Sequence, residues 1–225
     1  GLGDVYKRQD PVRFAGLKPV EATIEVETEC AKPISKHLIG IFFEDINYAA
    51  DGGLYAELIQ NRDFEYSSKD GSRQGWDATY AWAVKEGDAS AAVTIATADP
   101  IHPNNPHYAV LEARPGVTLQ NDGFDGISLK KGEKYDFSLF ARVAPGSKEG
   151  KVVVCLLDQD GREIARSSVN VSSKEWKKQQ TVLTANADVR AAVLSLQPQT
   201  VGTLHLDMIS LFPQNTFCLL YTSPS

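Results

Sequence analysis

Residues 134–143 read Lys-Tyr-Asp-Phe-Ser-Leu-Phe-Ala-Arg-Val, and their alternation decides the fold of most of the chain. Tyr135, Phe137, Leu139, Ala141 and Val143 fall on one side, with Lys134, Asp136, Ser138, Phe140 and Arg142 on the other. Successive side chains of an extended strand point to opposite faces, so this period of two predicts a strand with one buried and one exposed face. Short runs of the same kind recur at 80–86, 91–97, 108–113 and 117–121 before it, and at 151–158, 163–171, 179–184, 191–197 and 203–211 after it. Asp158-Gln159-Asp160-Gly161 is a hairpin turn signal between two of them. About ten short strands over roughly 150 residues, with almost no helical periodicity from Trp76 onward, predict a mainly β chain: an antiparallel jelly-roll β-sandwich.

Upstream the texture differs. Val20, Ala22, Ile24 and Val26 alternate with Glu21, Thr23, Glu25 and Glu27, which predicts a half-buried strand over 20–29. The run Ile39-Gly40-Ile41-Phe42-Phe43 is apolar throughout, as a strand buried on both faces requires, and it ends in Glu44 and Asp45. A Gly52-Gly53 loop follows, then a helix-like stretch over 54–61 with Tyr55, Leu58 and Ile59 on one side. Strand, loop and helix in that order read as a βα start, and in barrels of alternating strands and helices charged residues at a strand's C-terminal end face the active site.

Composition narrows the function classes. The chain has 225 residues, 42% hydrophobic and 23% charged, with a net charge of −6. No Lys/Arg cluster offsets that acidity, so no nucleic-acid partner is expected. No apolar run reaches the roughly 18 residues a membrane span needs, so no membrane partner is expected either.

The two ends read as foreign. Asp4-Val5-Tyr6-Lys7-Arg8-Gln9 is one translation of a transposon end used to build sequencing libraries. Cys218-Leu219-Leu220-Tyr221-Thr222-Ser223 is a frame of the reverse complement of the same DNA. Residues 1–9 and 218–225 are therefore set aside as adapter-like, and the rest is expected to be a piece of a longer protein. Cys218 leaves with them. Cys30 and Cys155 are far apart and lack metal-ligand spacing, and Cys155 within Val-Val-Val-Cys-Leu-Leu reads as a core thiol.

Three constellations could carry chemistry. Glu44 and Asp45 either contact substrate hydroxyls or cap backbone and pair with Arg62. Being adjacent on a strand, they point apart, so they cannot form the facing carboxylate pair, about 5 Å apart, of a retaining glycosidase. Glu65 near the first strand and Asp207 in the last could meet and hold a hard cation such as calcium, or stand as a solvated pair. Among the aromatics Trp76, Tyr80, Trp82, Tyr108, Phe124, Phe140 and Trp176, most are expected in the core. Phe140 differs, because its register puts it on the outer face between Asp136 and Arg142, as a sugar-binding groove would have it. His37, His102, His107 and His205 show no metal spacing and no adjacent nucleophile.

The string GIFFEDINYAADGGLYAELIQNRDFE, with the strand over 20–29 before it, closely resembles the first barrel strand and helix of retaining α-L-arabinofuranosidases. Asn61-Arg62-Asp63-Phe64-Glu65, Gly75-Trp76, residues 126–135 and Leu206-Asp207-Met208-Ile209-Ser210-Leu211 resemble a jelly-roll carbohydrate-binding module of galactose-binding-like fold. The resemblance implies an N-terminal strand and first βα unit of a (β/α)8 barrel over 10–63, an inserted module over 64–213 and a return toward the barrel over 214–217. It implies that Glu44 hydrogen-bonds arabinose in the subsite of the cleaved sugar, that Asn47 and the Gly52-Gly53 loop line that site, and that Glu65 and Asp207 hold a structural calcium ion. The family's acid/base and nucleophile glutamates lie on later barrel strands, outside these residues, so no residue here is assigned a catalytic role and no cofactor is expected for catalysis. The implied partner is an arabinose-containing polysaccharide or oligosaccharide, the implied setting periplasmic or secreted. A non-catalytic carbohydrate-binding module and a purely structural insert are the alternative readings.

Overall fold

A computed structural model describes residues 23–25, 50, 52–69, 75–85 and 92–216. The expected barrel strand at 39–43, Glu44, Asn47, Cys30 and both adapter-like ends lie outside them. Of the expected strand over 20–29 only Thr23, Ile24 and Glu25 are described. They belong to no strand, and Ile24 is 86% exposed. A period of two places a side chain inward only when a partner strand is there to make an inside, and no described strand pairs with these three.

Eleven strands are described: β1 Trp82–Lys85, β2 Val93–Ala96, β3 Tyr108–Ala113, β4 Thr118–Asn121, β5 Ile127–Leu129, β6 Lys134–Val143, β7 Gly150–Leu157, β8 Glu163–Val171, β9 Lys177–Thr184, β10 Val189–Pro198 and β11 Gly202–Pro213. They form two antiparallel sheets. One runs β1-β4-β10-β7-β8, with β5 pairing β10 at its side; the other runs β2-β3-β11-β6-β9. The expected sandwich is present.

The alternation over 134–143 is realised in β6. Tyr135, Phe137, Leu139, Ala141 and Val143 are all buried, and Phe137, Leu139 and Ala141 are fully so. They meet Leu194 and Leu196 of β10 and Val154 and Leu156 of β7 in one core between the sheets. Burying a side chain of this size contributes about 1.5–3 kcal/mol, so a dozen of them together contribute about 20–35 kcal/mol.

One further expectation fails, and one strand goes unread in the sequence. The helix-like stretch over 54–61 is no helix: its residues run irregularly, with a bridge at Tyr55 and turns at both ends. Tyr55, Leu58 and Ile59 fit a helical stripe, but Ala56, Glu57, Gln60 and Asn61 are buried as well, which a one-sided helix would not allow. The backbone pairs across the chain instead. Leu58 N–H donates to the Leu211 carbonyl at 3.0 Å, and Ile209 N–H donates to the Arg62 carbonyl at 2.9 Å. Residues 58–62 thus extend the pairing of β11, and Leu58 and Ile59 join the core. The unread strand is β5, three residues long and attached to β10 through a register shift, too short for a run of alternation to reveal.

Candidate functional site

The outer face of the five-stranded sheet carries the site. Outward residues of β6 lie in rows with those of its neighbours: Phe140 is paired with Lys178 of β9, Ser138 with Gln180 of β9 and Ser210 of β11, and Asp136 with Val182 of β9 and Phe212 of β11. These residues line a groove of about 680 Å³, with Tyr55 and Arg62 also in its wall. Tyr55 and Phe212 meet edge to face at 5.1 Å. The β11 strand is bulged between Asp207 and Ser210, and Met208, at φ +49°, turns into the groove while Asp207 turns away from it. A bulge of this kind re-aims side chains locally without ending the strand.

Phe140 is therefore placed where its register put it, half-buried and open to the groove. Its expected flank holds for Asp136, which is exposed and accepts a bond from Gln214 Nε2 at 2.7 Å. It does not hold for Arg142. That side chain is 7% exposed, with its guanidinium carbon 4.6 Å from the Trp176 ring centroid and 5.5 Å from that of Tyr108. Its Nε donates to His205 Nδ1 at 3.0 Å, and Nη1 is paired with Asp99. Trp176 Nε1 in turn donates to the Asp99 carbonyl at 3.1 Å. The cation alternates outward as expected, but the Trp176 loop folds over it and closes that end of the face. Burial and the Arg142 charge together lower the pKa of His205, which must be neutral at Nδ1 to accept the bond. Lys178 and Gln180 are the groove residues the sequence reading missed. Lys178 lay just before the expected start of β9, although it follows the same alternation as Gln180 and Val182.

Glu65 and Asp207 are brought to one corner through the loop before β3. Glu65 accepts the His107 N–H at 2.8 Å and lies 2.6 Å from His107 Nδ1. Asp207, fully buried, accepts Met208 N–H at 2.7 Å and Asn105 Nδ2 at 2.9 Å. Burial first, and the nearby charges of Asp63 and Glu65 after it, push the Asp207 carboxyl up to about 7. Two acidic groups, Asp63 and Glu65, beside the buried Asp207 carboxyl suit a cation by charge. Among the described residues, however, no set of three or more His, Cys, Asp or Glu side chains is arranged to hold one.

The other aromatics sort themselves. Trp82 and Tyr108 are buried, as core residues should be. Tyr66, Trp76 and Tyr80 stack on one another at 4.7 and 4.8 Å on the half-exposed surface. Asn61 fastens that corner, donating to the carbonyls of Ala78 and Tyr80 and accepting Tyr66 N–H. Cys155 is a free, fully buried thiol, pushed up to about 11 by burial and by Glu163.

Residues 56–203 match the carbohydrate binding domain family. An extracellular exo-α-L-arabinofuranosidase of Streptomyces chartreusis is 37% identical over 185 residues, 82% of this chain and 21% of that protein. α-L-Arabinofuranosidase 1 of Arabidopsis thaliana is 27% identical over 209 residues, 88% of this chain and 30% of that one. Among solved structures, an arabinose-bound GH51 α-L-arabinofuranosidase superposes with a TM-score of 0.65 at 28% identity, covering 80% of this chain and 30% of the other. The chain thus spans less than a third of the length of these relatives. It belongs to the carbohydrate binding domain family and is related, beyond that domain, to α-L-arabinofuranosidases.

Proposed function

We propose that these residues are part of a retaining α-L-arabinofuranosidase that releases terminal arabinofuranosyl units from plant polysaccharides, and that the sandwich binds the polysaccharide in the groove of its five-stranded sheet. The observation that carries the binding reading is the groove itself: a half-buried ring, Phe140, beside amide, hydroxyl and ammonium groups of Gln180, Ser138 and Lys178. A sugar ring offers an apolar face to an aromatic side chain and hydroxyls to polar groups, and this groove supplies both. Affinity electrophoresis on arabinoxylan and on arabinan tests it. Retardation that Phe140→Ala weakens supports the groove; an unretarded parent leaves the sandwich a structural insert.

In the enzyme as a whole Glu44, with Asn47 and the Gly52-Gly53 loop, holds the arabinose to be cleaved, while the acid/base and nucleophile carboxylates come from outside these residues. The 225 residues by themselves should not hydrolyse an aryl arabinofuranoside. Turnover above background would contradict this.

Glu65 and Asp207 are the groups that would hold a calcium ion, with backbone carbonyls completing the shell. Its contribution is structural: a divalent charge beside Asp207 would keep that buried carboxylate ionised. Calcium should raise the midpoint of thermal unfolding, and Glu65→Ala should abolish the rise.

A further inference from the structure

The loop between β4 and β5 is held more tightly than a surface loop needs to be. Asn121 donates from Nδ2 to the Gln60 carbonyl at 2.9 Å and accepts Gly123 N–H at Oδ1, also at 2.9 Å. Gly123 has φ +64°, and a Cβ there would meet the Leu58 carbonyl oxygen at 2.5 Å. Asp125, which is no glycine, has φ +63°. Left-handed backbone at a non-glycine residue costs about 1 kcal/mol, and it persists only where the surroundings over-determine it. The structure fixes what this loop presents: Phe124.

That ring lies on the backbone of Gly52. A Cβ at Gly52 would fall 2.3 Å from Phe124 Cγ and 2.4 Å from Cδ2, and φ at Gly52 is +79°. Only a glycine fits, for space and for conformation. The turn around it is closed from within, the Ala50 carbonyl accepting Gly53 N–H at 3.1 Å and Tyr55 N–H at 2.9 Å. Among the described residues, the ring is what a side chain at Gly52 would meet.

We infer that Phe124 is a positioning residue: the rigid β4–β5 loop of the sandwich sets the Gly52-Gly53 turn, and through it the arabinose site. The inference rests on the proposed reading, in which that turn lines the sugar subsite. It gives the sandwich a role in the barrel's chemistry that is separate from any glycan held in its own groove. Phe124 does not touch the groove; it lines a separate cavity of about 250 Å³ with Tyr55, Arg62 and Tyr66. Truncating it enlarges an existing cavity and leaves the core between the sheets intact.

The test has two arms. In the 225-residue chain, hydrogen exchange of the peptide covering 50–58 is measured for Phe124→Ala, Phe124→Tyr, Gly52→Ala and the double variant Gly52→Ala/Phe124→Ala. Phe124→Ala should speed exchange of that peptide about tenfold, the change expected from losing one half-buried aromatic contact, with β6 and β7 unaffected. Phe124→Tyr should restore protection, and the double variant should exchange more slowly than Gly52→Ala because the clash is gone. Unchanged exchange in Phe124→Ala, or strictly additive effects, overturns the contact's role. In the longer enzyme carrying this stretch, Phe124→Ala should raise KM for an aryl arabinofuranoside about tenfold with little change in kcat, and Phe124→Tyr should recover it. An active enzyme indifferent to Phe124→Ala overturns the inference alone. An enzyme without arabinofuranosidase activity overturns the proposed function and the inference with it.

Discussion

Replacing Glu57 should unfasten the segment over 57–62 from β11. Glu57 is 2% exposed and its carboxylate is fully engaged: Oε1 accepts Ile59 N–H at 3.0 Å and Leu211 N–H at 2.9 Å, while Oε2 accepts Ser210 Oγ at 2.6 Å and Arg62 Nη1 at 3.2 Å. Glu57→Ala leaves two buried amides without acceptors, each costing about 1–3 kcal/mol. Arg62 is exposed enough on loss of its partner to recover water, so it adds little. The expected loss is about 3–4 kcal/mol. Glu57→Gln keeps the Oε1 position and both amide bonds, and Ser210 can reverse to accept; it should cost about 1 kcal/mol, chiefly through Arg62. Burial raises the Glu57 pKa against the opposing pull of its hydrogen bonds. A raised acid pKa means the folded state holds the proton more tightly, so this group's contribution to stability falls as pH rises from about 4.5 through the folded value. The gap between parent and Glu57→Gln should therefore narrow at neutral pH relative to what a lowered pKa would give. Urea unfolding followed by tryptophan fluorescence measures these differences at constant m-value. A Glu57→Ala loss below about 1 kcal/mol, or Glu57→Gln as damaging as Glu57→Ala, would refute the clamp.

Asp207, pushed up to about 7 by burial, carries the same sign: in the presence of chelator stability should fall between about pH 4 and 7, by at most about 1.4 kcal/mol per pH unit. Asp207→Asn should flatten that limb, and a slope unchanged in the variant would show the carboxyl to be elsewhere than in a buried site. Arg142→Lys should cost about 2 kcal/mol and red-shift Trp176 emission, because an ammonium cannot serve Asp99 and His205 together while lying flat under the indole. Unaltered emission would mean that the Trp176 loop is held by other contacts.

What the sequence made legible is what a period of two encodes. The bounds of β3, β6 and β8 agree with their runs of alternation, because each has a mostly apolar inward row that a one-residue slip would expose. Phe140 was legible for the same reason: in a strand whose inner face is settled, an aromatic residue out of phase must face outward. The stretch over 54–61 was not, since its apolar spacing fits a helix and its actual backbone partner, β11, is some 150 residues away. Arg142 shows the limit from the other side. Its phase was right, yet alternation cannot say whether an outward residue meets water or a folded-over loop. Tertiary closure by Trp176 and Asp99 made a buried cation out of a position that reads as solvated. The convergence of Phe124 on Gly52 is likewise a long-range contact, hinted at only by the crowding of glycines around each residue.

If glycan binds the outer face of the five-stranded sheet, an NMR titration of the 225-residue chain with arabinoxylan oligosaccharides shows it most directly. Amide shifts should concentrate at Ser138, Phe140, Lys178, Gln180 and Ser210, and be lost in Phe140→Ala with the rest of the spectrum preserved. Shifts confined to other surfaces, with β6 and β9 unmoved, would contradict it.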